Sequence, residues 1–292
     1  MTYTFLKFNK NKTGWEECTV DDPARQMTIH NLLLEKLINI DKIRAKKWDC
    51  IFIIDGPRRA GKSTLGMTCT HFLQPNMTIN NIAAGMQDAV DKIQKLPDSS
   101  VLMIDEGSLV FNNKESMKRE QVQLMKIVDV VGQKKMVLIV ILPHIGDLAK
   151  PIAVTHSRFL LHVYTDSALN RGKFAYYGTH KKRELYKFMK NNFGSYLGVD
   201  EDWTGNFVDY NPLGEEYLEL KRRSLVEALT TKPKLTTRQI RYIKQRDSII
   251  EFLYKNKNIP VKEIAEAINR SGETLEESYI YEILNKPKEI IV

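Results

Sequence analysis

The sequence predicts an α/β protein, a mostly parallel sheet with helices, followed by a small all-α unit. Three observations carry that prediction. From Trp48 onward, short apolar runs alternate with helix-length amphipathic segments, the pattern of parallel strands joined by crossover helices. One of these runs, CIFIID from Cys50, passes through a glycine turn directly into a helix-like segment. From Thr236 the pattern changes to three helix-sized segments separated by short breaks.

Residues 1–47 read as an N-terminal packing segment. TYTFLKF alternates like a strand, and TIHNLLLEKLINIDKIRAKKW has helical apolar spacing with Lys and Arg near its end, where the helix dipole favours cations. Residues 48–190 form the core. Its strands are expected at CIFIID, at MTIN near Met77, at VLMID from Val101, at MVLIVIL from Met136 and at FLLHVY from Phe159. Helices fit KSTLGMTCTHFL, MQDAVDKIQKL and MKREQVQLMKIVDVVGQ; KFAYYGT could add an antiparallel edge strand, and KKRELYKFMKNNF reads as a basic helix. Residues 191–233 mix Gly, Asp, Asn and aromatics before turning helical, and read as a loop-rich extension with a linker around TTKPKLTT. Residues 234–292 hold TTRQIRYIKQRDSIIEFLYKN, PVKEIAEAINRSG and TLEESYIYEIL. Helix, short helix, glycine turn and helix is the layout of a helix-turn-helix.

Bulk composition narrows the classes. A chain of 292 residues suffices for one α/β domain with small attachments. A net charge of +8 favours an anionic partner such as nucleic acid, although a solvated lysine-rich surface produces the same balance. The three cysteines, Cys18, Cys50 and Cys69, contain no C-x-x-C pair and suggest neither a disulfide framework nor a zinc site. The N-terminus lacks the apolar core of a signal peptide, and the longest apolar run is too short for a bilayer. The expectation is a soluble cytoplasmic protein with no membrane partner.

The chemistry concentrates at Gly56-Pro57-Arg58-Arg59-Ala60-Gly61-Lys62-Ser63, which satisfies G-x-x-x-x-G-K-[ST] between an expected strand and an expected helix, with Thr64 following. Glycines let main-chain N–H groups turn inward around a phosphate, and the helix points its positive N-terminus at the same anion. Lys62 is expected to reach the β- and γ-phosphates of ATP, and the Ser63 hydroxyl to ligate Mg²⁺. The strand VLMID ends at Asp105, placed to join the Mg²⁺ shell, and Glu106 follows as candidate general base for the attacking water. Without the glycine loop, an apolar strand ending in Asp-Glu would be a weak signal; a Glu that only caps the next element is the plain alternative. Hydrolysis also calls for a cation on the γ-phosphate. Arg58 and Arg59 in the loop, Arg158 before the fifth expected strand and Arg171 at the hairpin are candidates, the last two by reaching a neighbouring subunit. His144, at the end of MVLIVILPH, could sense the γ-phosphate or be an ordinary loop histidine.

The order GPRRAGKST, VLMIDE, helix, VLIVILP resembles the P-loop ATPases that move DNA, over about residues 48–180. It is similar to the FtsK/HerA group, including the zonula-occludens-toxin-like phage ATPases and viral packaging ATPases, and the loop arginines are reminiscent of large terminase subunits. The resemblance implies a P-loop NTPase fold of the additional-strand type. It also implies a homo-oligomeric ring that hydrolyses ATP with Mg²⁺ and moves double-stranded DNA, as in viral genome packaging or DNA transfer, with a portal or other assembly protein as a further partner. No N-K-x-D base-reading motif of a GTPase is present.

The C-terminal segment leaves two readings open. RQIRYIKQR could lie along phosphates. TLEESYIYEIL carries Glu276, Glu277 and Glu282, which would repel DNA unless only Ser278, Tyr279 and Tyr281 approach it; otherwise the unit docks a protein. An ATP-switched adaptor acting through a protein partner, such as a helicase loader, is therefore the alternative to a motor. A regulator in which nucleotide binding gates the helix-turn-helix is a third reading, and a base at Glu106 argues against it.

Overall fold

The structure is a computed structural model that describes residues 2–105, 114–192, 194–230, 237–270 and 275–285. The chain divides into two compact units, Met1–Leu229 and Thr230–Val292. The sequence segments 1–47 and 48–190 and nearly all of 191–233 fall within the first unit.

That unit opens with β1 (Tyr3–Phe8), β2 (Trp15–Cys18) and β3 (Met27–His30), an antiparallel sheet in the order β2-β1-β3. Helix α1 (Asn31–Ala45) follows without a break. The main elements are then β4 (Cys50–Asp55), α2 (Lys62–Leu73), β5 (Ile82–Ala83), α3 (Met86–Lys95), β6 (Val101–Asp105), α4 (Lys114–Lys134), β7 (Val137–Ile141), β8 (Ser157–Tyr164), β9 (Lys173–Tyr177), α5 (Thr179–Asn191), β10 (Trp203–Asn206) and α6 (Glu215–Thr230). The seven-stranded sheet has the order β10-β9-β8-β4-β7-β6-β5. The five strands from β8 to β5 are parallel, and β9 and β10 extend one edge antiparallel. The α/β class and the antiparallel addition at KFAYY are therefore as expected from sequence.

Strands β4, β6 and β7 are buried along their whole lengths. A parallel strand covered on both faces must be apolar on both, so these strands read as unbroken runs rather than alternating ones. Phe52 and Ile54 enter one core with Leu37, Leu65, Met103 and Ile139, while Ile51 and Ile53 enter the other with Leu102, Leu124, Val140 and Leu185. Successive side chains of a strand point to opposite faces, which is how one strand serves two cores. All five parallel strands then deliver their carboxyl ends to the same edge, where open α/β sheets bind ligands.

Three local expectations are corrected. MTIN is not a strand: Thr78 Oγ1 accepts from Asn80 N–H, Thr78 N–H donates to Asn81 Oδ1, and the segment winds into a 3₁₀ turn, leaving only Ile82–Ala83 to pair with β6. TIH joins β1 as β3, so the helix begins later, at Asn31. WTGN, inside the loop-rich extension, adds β10 beside β9.

The second unit holds α7 (Thr237–Lys257), α8 (Val261–Arg270) and α9 (Glu277–Asn285). Ile250, Val261, Ile264, Leu275, Ile280 and Ile283 form its core. Among the described residues, no helix is long and apolar enough to cross a membrane.

Candidate functional site

The turn from β4 into α2 is built by backbone demands. Gly56 has φ +136°, and a Cβ there would lie 1.9 Å from the Val163 carbonyl oxygen of β8. Only glycine lets the loop leave the sheet so close to a neighbouring strand. Gly61 is the N-cap of α2 and has no side-chain acceptor to offer, and the first turn of the helix contains no acid. The positive end of α2 thus faces the loop without a carboxylate of its own.

Lys62, the first residue of α2, curls back over the loop, where Nζ donates to the carbonyls of Gly56 (2.7 Å) and Pro57 (2.8 Å). Ser63 Oγ donates to Asp105 Oδ1 at 3.2 Å. These two residues come together because α2 packs very close to β6 and β7. A Cβ on Gly66 would lie 2.6 Å from Ile141 Cδ1 and 2.7 Å from Met103 Sδ. Strand β6 places Asp105 at its carboxyl end, buried at 6% exposure. Thr64 is half-buried one residue further along and Ala60 is buried, whereas Pro57, Arg58 and Arg59 are exposed on the loop. Glu106, the expected general base, lies outside the described residues.

Helix α6 supplies what motif reading did not find. Tyr217, 4% exposed, donates its hydroxyl to Asp105 Oδ2, and Lys221 Nζ lies 3.4 Å from the same oxygen and 3.2 Å from Ser63 Oγ. The Lys221 ammonium also stands 4.7 Å from the Tyr217 ring centre. Burial, reinforced by the Asp105 charge, pushes the Tyr217 phenol well above the ordinary tyrosine range, so it stays a donor. The i,i+4 spacing of Tyr217 and Lys221 on one helix face is the only trace of this in the sequence.

A second carboxylate anchors the root of the loop. Asp55, fully buried at the end of β4, accepts from Ile145 N–H (2.8 Å) and the Tyr196 hydroxyl and lies 2.8 Å from His162 Nδ1. A buried carboxylate needs such partners to offset its lost hydration. Burial and the Asp55 charge raise the Tyr196 pKa strongly. The cluster ties β4 to β8 and to the chain leaving β7, immediately before Gly56.

The remaining candidates are spread out. His144 Nδ1 accepts from Gly146 N–H at 3.0 Å and Nε2 lies 2.8 Å from the Gly194 carbonyl, so main-chain groups engage both ring nitrogens. Arg158 sits, exposed, at the start of β8. Cys50 begins β4 and Asp55 pairs with His162, so Arg158 stands four strand residues, about 13 Å, from the loop edge. It therefore cannot reach the loop of its own chain, and a role in catalysis would require a neighbouring copy. Arg171, exposed between β8 and β9, lies on the loop edge.

Among the described residues no group of three or more His, Cys, Asp or Glu side chains could hold a metal. The donor set that is present, one hydroxyl and one carboxylate 3.2 Å apart beside a helix N-terminus, fits Mg²⁺. That ion keeps most of its waters and takes one or two carboxylates together with phosphate oxygens. The same set with Lys62 fits a nucleoside triphosphate.

In the second unit, Tyr242, Arg246, Ile249, Leu253, Ile264 and Ile268 line a groove of about 470 Å³ between α7 and α8. Glu276, Glu277, Ser278, Tyr279, Tyr281 and Glu282 are exposed on or beside α9.

No protein-family model matches the sequence, and no curated protein matches it.

Proposed function

We propose that the chain is a P-loop NTPase of the additional-strand type, a Mg-ATP-hydrolysing, DNA-dependent ATPase that works as a ring-forming double-stranded DNA translocase. The observation that carries the nucleotide reading is the hydrogen bond of Ser63, beside Lys62 at the start of α2, to Asp105, at the end of β6. The strand order supports the additional-strand assignment, because β7 is interposed between the loop strand β4 and the Asp105 strand β6. In this reading the loop from Gly56 to Gly61 would wrap the phosphates, and Lys62 would turn from the Gly56 and Pro57 carbonyls to the β- and γ-phosphates. Ser63 and Asp105 would hold Mg²⁺, which would supply neutralisation of the phosphate charge. Glu106 polarises the attacking water, and an arginine, from the loop or from a neighbouring subunit, stabilises the charge that develops. The DNA-moving role rests on the resemblance and the basic charge, with a packaging or transfer assembly as the wider partner.

An adaptor that acts through a protein is the second reading. The largely apolar groove between α7 and α8 and the carboxylates around α9 favour it, since neither feature suits a phosphate backbone.

The test is steady-state ATP hydrolysis by the purified protein, with and without long double-stranded DNA, at low and moderate salt. Stimulation that grows with DNA length is expected for a motor; hydrolysis indifferent to every DNA moves the function to the adaptor. Lys62→Ala should abolish nucleotide binding, read by a fluorescent ATP analogue, and unchanged binding would overturn the assignment of the loop.

A further inference from the structure

Helix α6 places a cation where the metal ion is expected. Lys221 Nζ lies 3.2 Å from Ser63 Oγ and 3.4 Å from Asp105 Oδ2, the two side chains that would hold Mg²⁺. We propose that Lys221 is a resident cation of this site, which a divalent ion must displace, so that metal entry loosens α6 from the loop. The proposal rests on the nucleotide reading only for what the metal serves; its geometry involves Ser63, Asp105 and Lys221 alone.

A divalent ion held by Ser63 Oγ and Asp105 Oδ1 would compete with the ammonium for the Ser63 hydroxyl and stand next to it across one carboxylate. A divalent ion bound at about 2.1 Å from Asp105 would neutralise the carboxylate's attraction for the ammonium and repel it. Lys221 is the replaceable partner. Its side chain is 45% exposed on a flexible stem, whereas Tyr217, one turn earlier, is buried and donates to Asp105 Oδ2, so a metal would take Oδ1 beside the Ser63 hydroxyl. The ammonium end of the pair is open to solvent although Asp105 is buried, so water screens Lys221 and rehydrates it when it leaves. Past Lys221 the helix carries exposed Arg222, Arg223 and Leu225 and ends at Thr230, where the second unit begins. Metal occupancy would therefore be felt first in the stretch of chain that leads to the three-helix unit.

The experiment uses the full chain and Mn²⁺ alone, with free ion read by electron paramagnetic resonance. Lys221→Met removes the charge and keeps the stem; it is expected to bind Mn²⁺ about two- to five-fold more tightly than the parent, the range of an exposed ion pair. Lys221→Arg should stay near the parent, and Asp105→Asn should lose the site in every background. Hydrogen exchange across residues 215–226 should quicken when Mn²⁺ is added to the parent. Equal or weaker Mn²⁺ binding by Lys221→Met, unchanged exchange in α6, or no Asp105-dependent binding at all would each overturn the proposal. Failure of the ATP analogue to bind would strike the nucleotide reading separately, because no nucleotide enters the Mn²⁺ titration.

Discussion

Lys182 gives the most quantitative expectation. It lies on α5 with no solvent exposure, and its Nζ donates to the Ser157 hydroxyl at 2.6 Å and to the Ser157 carbonyl. Among the described residues no carboxylate forms an ion pair with it. Burial, with a smaller push from Arg183, lowers its pKa from 10.5 to about 7. A lysine depressed in the folded state binds fewer protons there than in the unfolded chain, so stability must rise with pH from about 7 to about 10.5. Near pH 7 the folded lysine is half protonated and the unfolded one fully so. By pH 8 the difference approaches one whole proton, worth about 1.4 kcal/mol per pH unit. The gain between pH 7 and pH 9 is then about 2 kcal/mol. The buried thiols Cys50 and Cys69 begin to act in the opposite direction from about pH 8.5, and Tyr176 and Tyr177, raised by burial to about 12, add to this above about pH 9, because the unfolded chain ionises them first. Urea unfolding followed by tryptophan fluorescence suits the measurement, since Trp15, Trp48 and Trp203 all lie in the first unit. Lys182→Met retains the bulk and should abolish the pH 7–9 rise. The same slope in parent and variant would refute the assignment of this titration to Lys182.

Two further outcomes follow from the site. Gly56→Ala combines a strained backbone with a Cβ 1.9 Å from a carbonyl oxygen, and should cost about 3 kcal/mol or more, lowering the melting temperature by roughly 6–12 °C in a calorimetric scan. A shift under about 2 °C would mean that β4 and β8 separate easily at this point. Asp55→Asn presents an amide to donors that need acceptors at Ile145, His162 or Tyr196, and should cost about 2–4 kcal/mol in denaturant unfolding, with faster hydrogen exchange in residues 194–200; neutral stability would show that the cluster contributes nothing net.

The core strands were legible because parallel strands buried on both faces must be continuously apolar, and CIFIID, VLMID and VLIVI are. The edges were not legible for the converse reason. WEEC is half exposed, and WTGN contains a glycine and alternates exposed with buried positions; neither stands out from loop composition. TIH was absorbed into the neighbouring helix because Met27, Ile29, Leu33 and Leu37 are all buried apolar residues, and spacing alone does not mark where a strand hands over to a helix. MTIN went astray because the choice between strand and turn was made by one side-chain cap, that of Thr78, against a weak apolar signal.

The same logic divides the candidate site. The placing of Lys62 and Ser63 at the start of α2 is readable because the glycine turn and the helix that follows it occupy consecutive positions, and Asp105 because it ends an unbroken apolar strand. Tyr217 and Lys221 meet the site from 112 residues beyond Asp105 and 158 beyond Ser63. Contacts of that separation depend on how the loop-rich extension threads back over the sheet. Phe207, packed against Gly61, and Tyr210, hydrogen-bonded to His71 at 2.5 Å, belong to the same return path. The local pattern therefore specifies the half of the candidate site built from the β4–α2 turn and the end of β6, and the tertiary path of residues 203–230 specifies the half that covers it. On the proposal that Lys221 is displaced by a divalent ion, the cation delivered by the covering half would respond to a metal bound by the other, coupling α6 to the site through Ser63 and Asp105.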